Sequence, residues 1–208
     1  MLKKIKTYLH TNWQYALNIY IFLNFGSWCA WSAYQSYLEN RLDLVEISFL
    51  VSNVVLVFIF LLRKPHQQIN TNLYHQTIAL LAFCSGAALM GTAPTGGAAA
   101  LFFSQAVIIT ANVIGVATLL NLGRSFGILI AFREIKTTGL YGIIRHPMYF
   151  TDILLRIGYL ISHLQPIPIL IVLASSACYV YRAILEERFL AQQPEYAAYM
   201  QKVKYRFI

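Results

Sequence analysis

The sequence predicts an all-α fold: a polytopic membrane bundle of about six transmembrane helices, the last two forming a hairpin. A cytoplasmic loop and an amphipathic C-terminal helix complete it. Three observations predict this fold. Of the 208 residues, 58% are hydrophobic and 12% charged, where a soluble domain carries about a quarter charged. Mean hydropathy is +0.57. The apolar residues also fall into segments near the ~20 residues that a ~30 Å bilayer core requires.

The first segment is Tyr15 to Tyr34, rich in the Trp and Tyr that suit a membrane interface. The second is Val45 to Leu62. The third, Thr77 to Met90, is short and ends at the breaker cluster Gly91 to Gly97, which reads as a tight turn. The fourth, Ala98 to Leu122, is long and contains Gly115. The fifth, Met148 to Ser162, turns at His163-Leu-Gln-Pro-Ile-Pro168 into the sixth, Ile169 to Leu185. In the tail, Tyr196, Tyr199, Val203 and Phe207 recur at helical spacing beside Lys202, Lys204 and Arg206. That pattern predicts an amphipathic helix that lies on the membrane or caps a site. Residues 1–97 read as N-terminal membrane helices and 98–208 as a second region that carries the polar motifs.

Charge placement tests the count. Lys3, Lys4 and Lys6 precede the first segment, and Arg63 and Lys64 follow the second. Arg124, Arg133, Lys136 and Arg145 follow the fourth, and Arg188, Lys202, Lys204 and Arg206 follow the sixth. With six spans every basic cluster falls on one side, and the positive-inside rule puts both termini in the cytoplasm. The net charge of +8 therefore reads as topology and contact with membrane lipids, not as a nucleic-acid surface. Cys29, Cys84 and Cys178 each lie in an apolar segment without metal-ligand spacing, so no metal site is expected. The polar residues after Lys6 exclude a cleavable signal.

Two polar clusters interrupt this apolar frame. Arg145-His-Pro-Met-Tyr149 opens the fifth segment. Pro147 suits a helix start, whose free N–H groups favour a carboxylate or phosphate. The bland reading, a basic turn at the membrane edge, weighs about equally. Glu186-Glu187-Arg188 ends the sixth segment. Asp152 with Arg156, and Arg182 with Glu186, have the spacing of ion pairs one helical turn apart. Neighbouring residues point about 100° apart on a helix, so Arg182 cannot serve both glutamates. The other carboxylate needs Arg188, Arg145 or a ligand ammonium, and the ligand is favoured. His10, His66, His75 and His163 read as ordinary flank and loop residues.

Leu122-Gly-Arg-Ser-Phe126, Thr138-Gly-Leu-Tyr141, Arg145-His-Pro-Met-Tyr149, Glu186-Glu187 and Tyr196-Ala-Ala-Tyr199 together resemble the isoprenylcysteine carboxyl methyltransferase family, related to the phospholipid N-methyltransferases. The resemblance covers Leu119 to Phe207. It implies an integral membrane methyltransferase that uses S-adenosyl-L-methionine without a nucleotide-binding sheet. The acceptor would be a lipid-like or prenylated small molecule, with carboxyl O-methylation favoured. Tyr141, His146, Pro147, Tyr149, Glu186 and Glu187 would bind the cofactor. Arg145 and Glu187 would be catalytic, Arg145 orienting a substrate carboxylate. Arg124 and Arg206 would add head-group or cofactor contacts. The implied location is a bacterial inner membrane, with no protein partner and no nucleic acid. The family's glycine after Arg-His-Pro-x-Tyr-x is Thr151 here, and its final proline after Arg206-Phe207 is absent.

Two other classes compete. Membrane reductases that use NADPH also end in tyrosine-rich basic tails, but lack the pairing of Arg145-His146-Pro147 with Glu186-Glu187. A small transporter would use Asp152, Arg156 and Arg182. Against it, the charges gather at one face of the membrane and no inverted repeat appears.

Overall fold

A computed structural model describes residues 2–89 and 92–207, with side chains from Trp13 onward. The side chains of Lys3, Lys4, Lys6 and His10, and the turn residues Met90 and Gly91, lie outside the described residues. The chain forms α1 (Leu2–Leu38), α2 (Leu44–Leu62), α3 (Leu73–Cys84), α4 (Ala98–Leu122), α5 (Pro147–Ser162), α6 (Pro166–Leu190) and α7 (Pro194–Lys202). A 3-10 turn, Ser85–Leu89, continues α3. Five of the six expected apolar segments lie within one helix each; the third, Thr77 to Met90, runs through α3 and the 3-10 turn, and Met90 lies outside the described residues. By length and composition α2, α4 and α6 can each cross a membrane. At 16 residues, α5 is ~24 Å long, and it lies against both α4 and α6. α1 packs on α2, α2 on α4, and α3 on α6.

Local chemistry sets the helix starts. Asp43 caps α2 by accepting from the Glu46 N–H at 2.8 Å, and Asn72 caps α3 through Tyr74 and His75. Pro147, Pro166 and Pro194 open α5, α6 and α7, where a missing N–H costs nothing. α4 stops at Gly123, whose φ of 51° favours glycine. The outer faces carry exposed Phe58, Phe102, Phe103, Leu120, Leu170 and Leu173, a lipid-compatible surface.

The basic segments after α2 and α4 meet at one end of the bundle. Arg124 Nε donates to the Leu62 carbonyl at 2.9 Å, and Arg133 Nε to that of Lys64 at 3.1 Å. Lys64 pairs with Glu134 at 2.5 Å. Two short antiparallel strands, β1 (Gln68–Ile69) and β2 (Ala131–Phe132), join the same loops. The fold stays all-α: each strand is two residues long, and the two connections, too irregular to satisfy their own backbones, satisfy each other.

Three further expectations change. Neither ion pair at one-turn spacing forms. Arg156 donates to the Asp152 carbonyl at 2.8 Å, to Ser85 Oγ at 2.8 Å and to Ser175 Oγ at 3.1 Å. Arg182 donates to the carbonyls of Ala79, Gly127 and Ile128 at 3.1, 3.3 and 2.5 Å. A buried guanidinium has five N–H groups to satisfy, and neighbouring elements offer more acceptors than one carboxylate does. The tail helix is also shorter than its pattern: α7 ends at Lys202, and Val203 to Phe207 continue as an extended strap.

Thr151 stands where the resembled family has glycine, and α4 accommodates it. A Cβ on Gly115 would lie 3.6 Å from Thr151 Oγ1. One turn pair further on the small residue is on α5: a Cβ on Gly158 would meet Val107 Cγ1 at 3.0 Å and Ile108 Cγ1 at 3.1 Å. Gly158→Leu is therefore expected to force α4 and α5 apart and cost about 1–3 kcal/mol. Thermal unfolding in detergent measures it; an unchanged midpoint would mean the two helices are not in close contact.

Candidate functional site

A cavity of about 680 Å³ runs inside the bundle, within the size range of small-molecule sites. α2, α4, α5 and α6 wall it, the 125–136 segment closes one side, and Tyr196 and Tyr199 of α7 cover one end. The charged and aromatic residues of the two polar motifs converge at that covered end.

Glu187 is the hub. Its side chain is 4% exposed and meets three cationic or polar groups. Arg145 Nε donates to Oε1 at 2.8 Å and His146 Nε2 to the same oxygen at 3.0 Å. Arg206 donates to Oε2 through Nη2 at 2.7 Å and Nε at 3.0 Å. Arg145 Nη1 also reaches the Val203 and Lys204 carbonyls at 2.9 and 2.8 Å. The backbone N–H groups of Arg145 and His146 donate to the carbonyls of Tyr205 and Arg206. The strap is thus bound to the start of α5 like an added strand. The bond to Glu187 holds Arg206 above the usual range for a guanidinium.

Glu186 faces the other way and stands on the cavity wall. It accepts a hydrogen bond from the Tyr149 hydroxyl. Tyr149 stacks on the His146 ring, with centroids 5.1 Å apart at 14°, and Arg182 Cζ sits 4.9 Å from its ring centre. Tyr141 also lines the cavity; its carbonyl accepts from Tyr199 Oη at 2.6 Å. Burial, with Glu186 nearby, pushes the Tyr141 phenol well above its ordinary pKa. On the 125–136 side, burial and the neighbouring Arg63 bring Arg133 down to about 10. Hydrogen bonds from Lys136 and Lys64 hold Glu134 near 2.

The sequence-derived residues therefore separate. Tyr141, Arg145, His146, Tyr149 and Glu186 are brought together on the cavity wall. Glu187 does not line the cavity; the carboxylate expected to await a ligand ammonium is already matched by Arg145 and Arg206. Arg206 belongs to that cluster too. Pro147 is buried as the first residue of α5, and Arg124 ties α4 to the end of α2, away from the cavity. Sequence reasoning gave Arg182 a merely structural pairing and passed over Ser125 and Arg133, all three on the cavity wall. Ser125 and Arg133 were signalled by polarity in and after the Leu-Gly-Arg-Ser-Phe stretch, and Arg182 by a charge within an apolar segment.

Residues 97–196 match the phospholipid methyltransferase family profile. The span takes in α4, α5, α6 and the start of α7, and hence the whole cluster except Arg206. No curated protein gives a significant match.

Glu187→Ala leaves Arg145 and Arg206 without their counter-charge. It is expected to lower stability by about 3 kcal/mol and to free the strap, so that trypsin cuts after Lys202 and Lys204 faster than in wild type. Glu186→Gln leaves both properties intact. Equal proteolysis of wild type and Glu187→Ala would show that Glu187 does not hold the strap.

Proposed function

We propose that this chain, whose residues 97–196 match the phospholipid methyltransferase family, is a membrane methyltransferase that uses S-adenosyl-L-methionine to methylate a lipid-like acceptor. The observation that carries this reading is Glu186: a carboxylate on the wall of a capped cavity, with the neutral hydroxyl of Tyr149 as its hydrogen-bond donor. Such a group suits the ammonium or ribose hydroxyls of the cofactor.

The cavity's size and its mixture of acidic, basic and aromatic groups fit that cofactor. Glu186, His146, Tyr149, Tyr141 and Arg145 would hold it. When bound, it supplies a methyl group already activated by a sulfonium centre. The protein's work is then alignment and exclusion of water. α7 and the strap cover the site, and the stacked rings of His146 and Tyr149 form a flat wall. The acceptor would reach the site laterally between helices, with its chain along the apolar stretch of the cavity near Leu56, Phe83 and Leu119. The covered end would face the cytoplasm, as the gathered basic residues favour.

A carboxylate acceptor, as in isoprenylcysteine O-methylation, is already nucleophilic at neutral pH. An amine acceptor, as in phospholipid N-methylation, must first lose a proton.

Calorimetry with S-adenosylhomocysteine on detergent-purified protein tests the cofactor assignment. Wild type is expected to bind. Glu186→Gln and His146→Ala are expected to bind about tenfold more weakly, the weight of one hydrogen bond to a charged group. Unaltered affinity in both variants would remove the assignment. Methyl transfer to membranes from a labelled cofactor separates the two acceptors: an ester releases its label in mild base, and an N-methyl group does not.

A further inference from the structure

Beside Glu186 the cavity wall carries a second, oppositely charged corner that the cofactor assignment does not use. Arg182 is 3% exposed, and its Nε has no partner among the described residues. Ser125 Oγ is buried and equally without a partner. Both residues line the cavity, as does Arg133. Gly127 places them together. Its carbonyl accepts from Arg182 Nη2 at 3.3 Å, it stands two residues after Ser125, and a Cβ on it would run into Arg133 Nη1. Gly127 is thus the gap that lets the Arg133 guanidinium lie against the loop.

Direct ion pairing is missing here. Neither Arg133 nor Arg182 is within ion-pair distance of a carboxylate among the described residues. Glu186 and Asp152 stand on the same cavity wall without closing a salt bridge to either arginine. Two buried guanidinium groups without a direct counter-ion, with a guanidinium N–H and a hydroxyl left unpaired, are a costly arrangement in an apolar interior. It becomes favourable when an anion with several acceptor oxygens enters, because a guanidinium fork matches such groups.

We infer that Arg182, Ser125 and Arg133 form an oxyanion subsite for a carboxylate or phosphodiester of the bound ligand. The inference rests on the methyltransferase reading for its choice of ligands: the anion is the cofactor's carboxylate, an acceptor carboxylate or an acceptor phosphodiester. The subsite fixes the ligand's anionic group on one side of Glu186 and so sets which atom faces the transferred methyl group. It also gives a physical role to the Ser of the Leu-Gly-Arg-Ser-Phe stretch, whose neighbour Arg124 points instead to the end of α2.

Ser125→Ala is the decisive variant. A buried hydroxyl without a protein partner contributes no hydrogen bond to folding, so its removal is neutral or stabilising. Arg133→Gln is the companion. Three probes are titrated into wild type and both variants: S-adenosylhomocysteine, N-acetyl-S-farnesylcysteine and dihexanoylphosphatidylethanolamine. In Ser125→Ala, the probe whose oxyanion occupies the subsite is expected to lose about tenfold in affinity, and Arg133→Gln is expected to weaken the same probe. Loss for S-adenosylhomocysteine assigns the subsite to the cofactor carboxylate. Loss for either amphiphile assigns it to that acceptor's anion. Unaltered affinity for all three probes, equal loss for all three, or a wild type that binds none of them overturns the subsite. A wild type that binds an amphiphile through Ser125 but not S-adenosylhomocysteine leaves the subsite standing and removes the cofactor reading.

Discussion

Three parts of the chain are held in place by one carboxylate. Glu187 reaches from the last turn of α6 to Arg145 and His146 before α5, and to Arg206 in the strap. These contacts span 41 residues on one side and 19 on the other. Burying a carboxylate is costly unless its lone pairs are filled. Here two guanidinium groups and an imidazole fill them, and the strap adds backbone hydrogen bonds to the same two residues. With Glu187 in place, the start of α5, the end of α6 and the cover over the cavity are one unit. Without it, two arginines near an apolar interior would lack a counter-charge.

That unit explains why neighbouring glutamates behave differently. A helix turns about 100° per residue, so the side of α6 that anchors the strap cannot also face the cavity. Glu187 takes the anchoring direction and Glu186 the cavity. The stacked His146 and Tyr149 connect them: His146 donates to Glu187 and Tyr149 to Glu186. A displacement of the strap would therefore be transmitted to the cavity wall through two packed rings, a short and stiff path.

Much of this was legible in the sequence, for identifiable reasons. Long apolar segments predict helices because every backbone group is then satisfied within the segment. Pro147, Pro166 and Gly123 mark ends because their backbone preferences are local. The convergence of Arg145-His146-Pro147 with Glu186-Glu187 was readable from motif order. Pairings that depend on tertiary packing were not. Asp152 with Arg156, and Arg182 with Glu186, have ideal spacing for ion pairs. Yet both arginines turn to carbonyls and hydroxyls, most of which only the packed bundle brings near. The tail pattern failed at the same point: Phe207 keeps helical spacing, but the strap's carbonyls are taken by Arg145 and His146 instead of by a continuing helix.

The two polar corners of the cavity follow from this division. Since Glu187 is taken up by Arg145 and Arg206, Glu186 is the member of the glutamate pair left to the cavity wall, while Arg182 and Arg133 remain without ion pairs among the described residues. The wall near α7 is thus negative at one point and positive at another, in surroundings where water does not screen either. A ligand with an ammonium and an oxyanion a few bonds apart would satisfy both corners at once; a ligand with only one would leave the other exposed to desolvation. The cofactor has both groups in its amino-acid portion, and a phospholipid ethanolamine has both in its head group. The same arrangement of protein charge therefore suits either partner in a methyl transfer. Which of them occupies the arginine corner decides which side of Glu186 the methyl acceptor approaches.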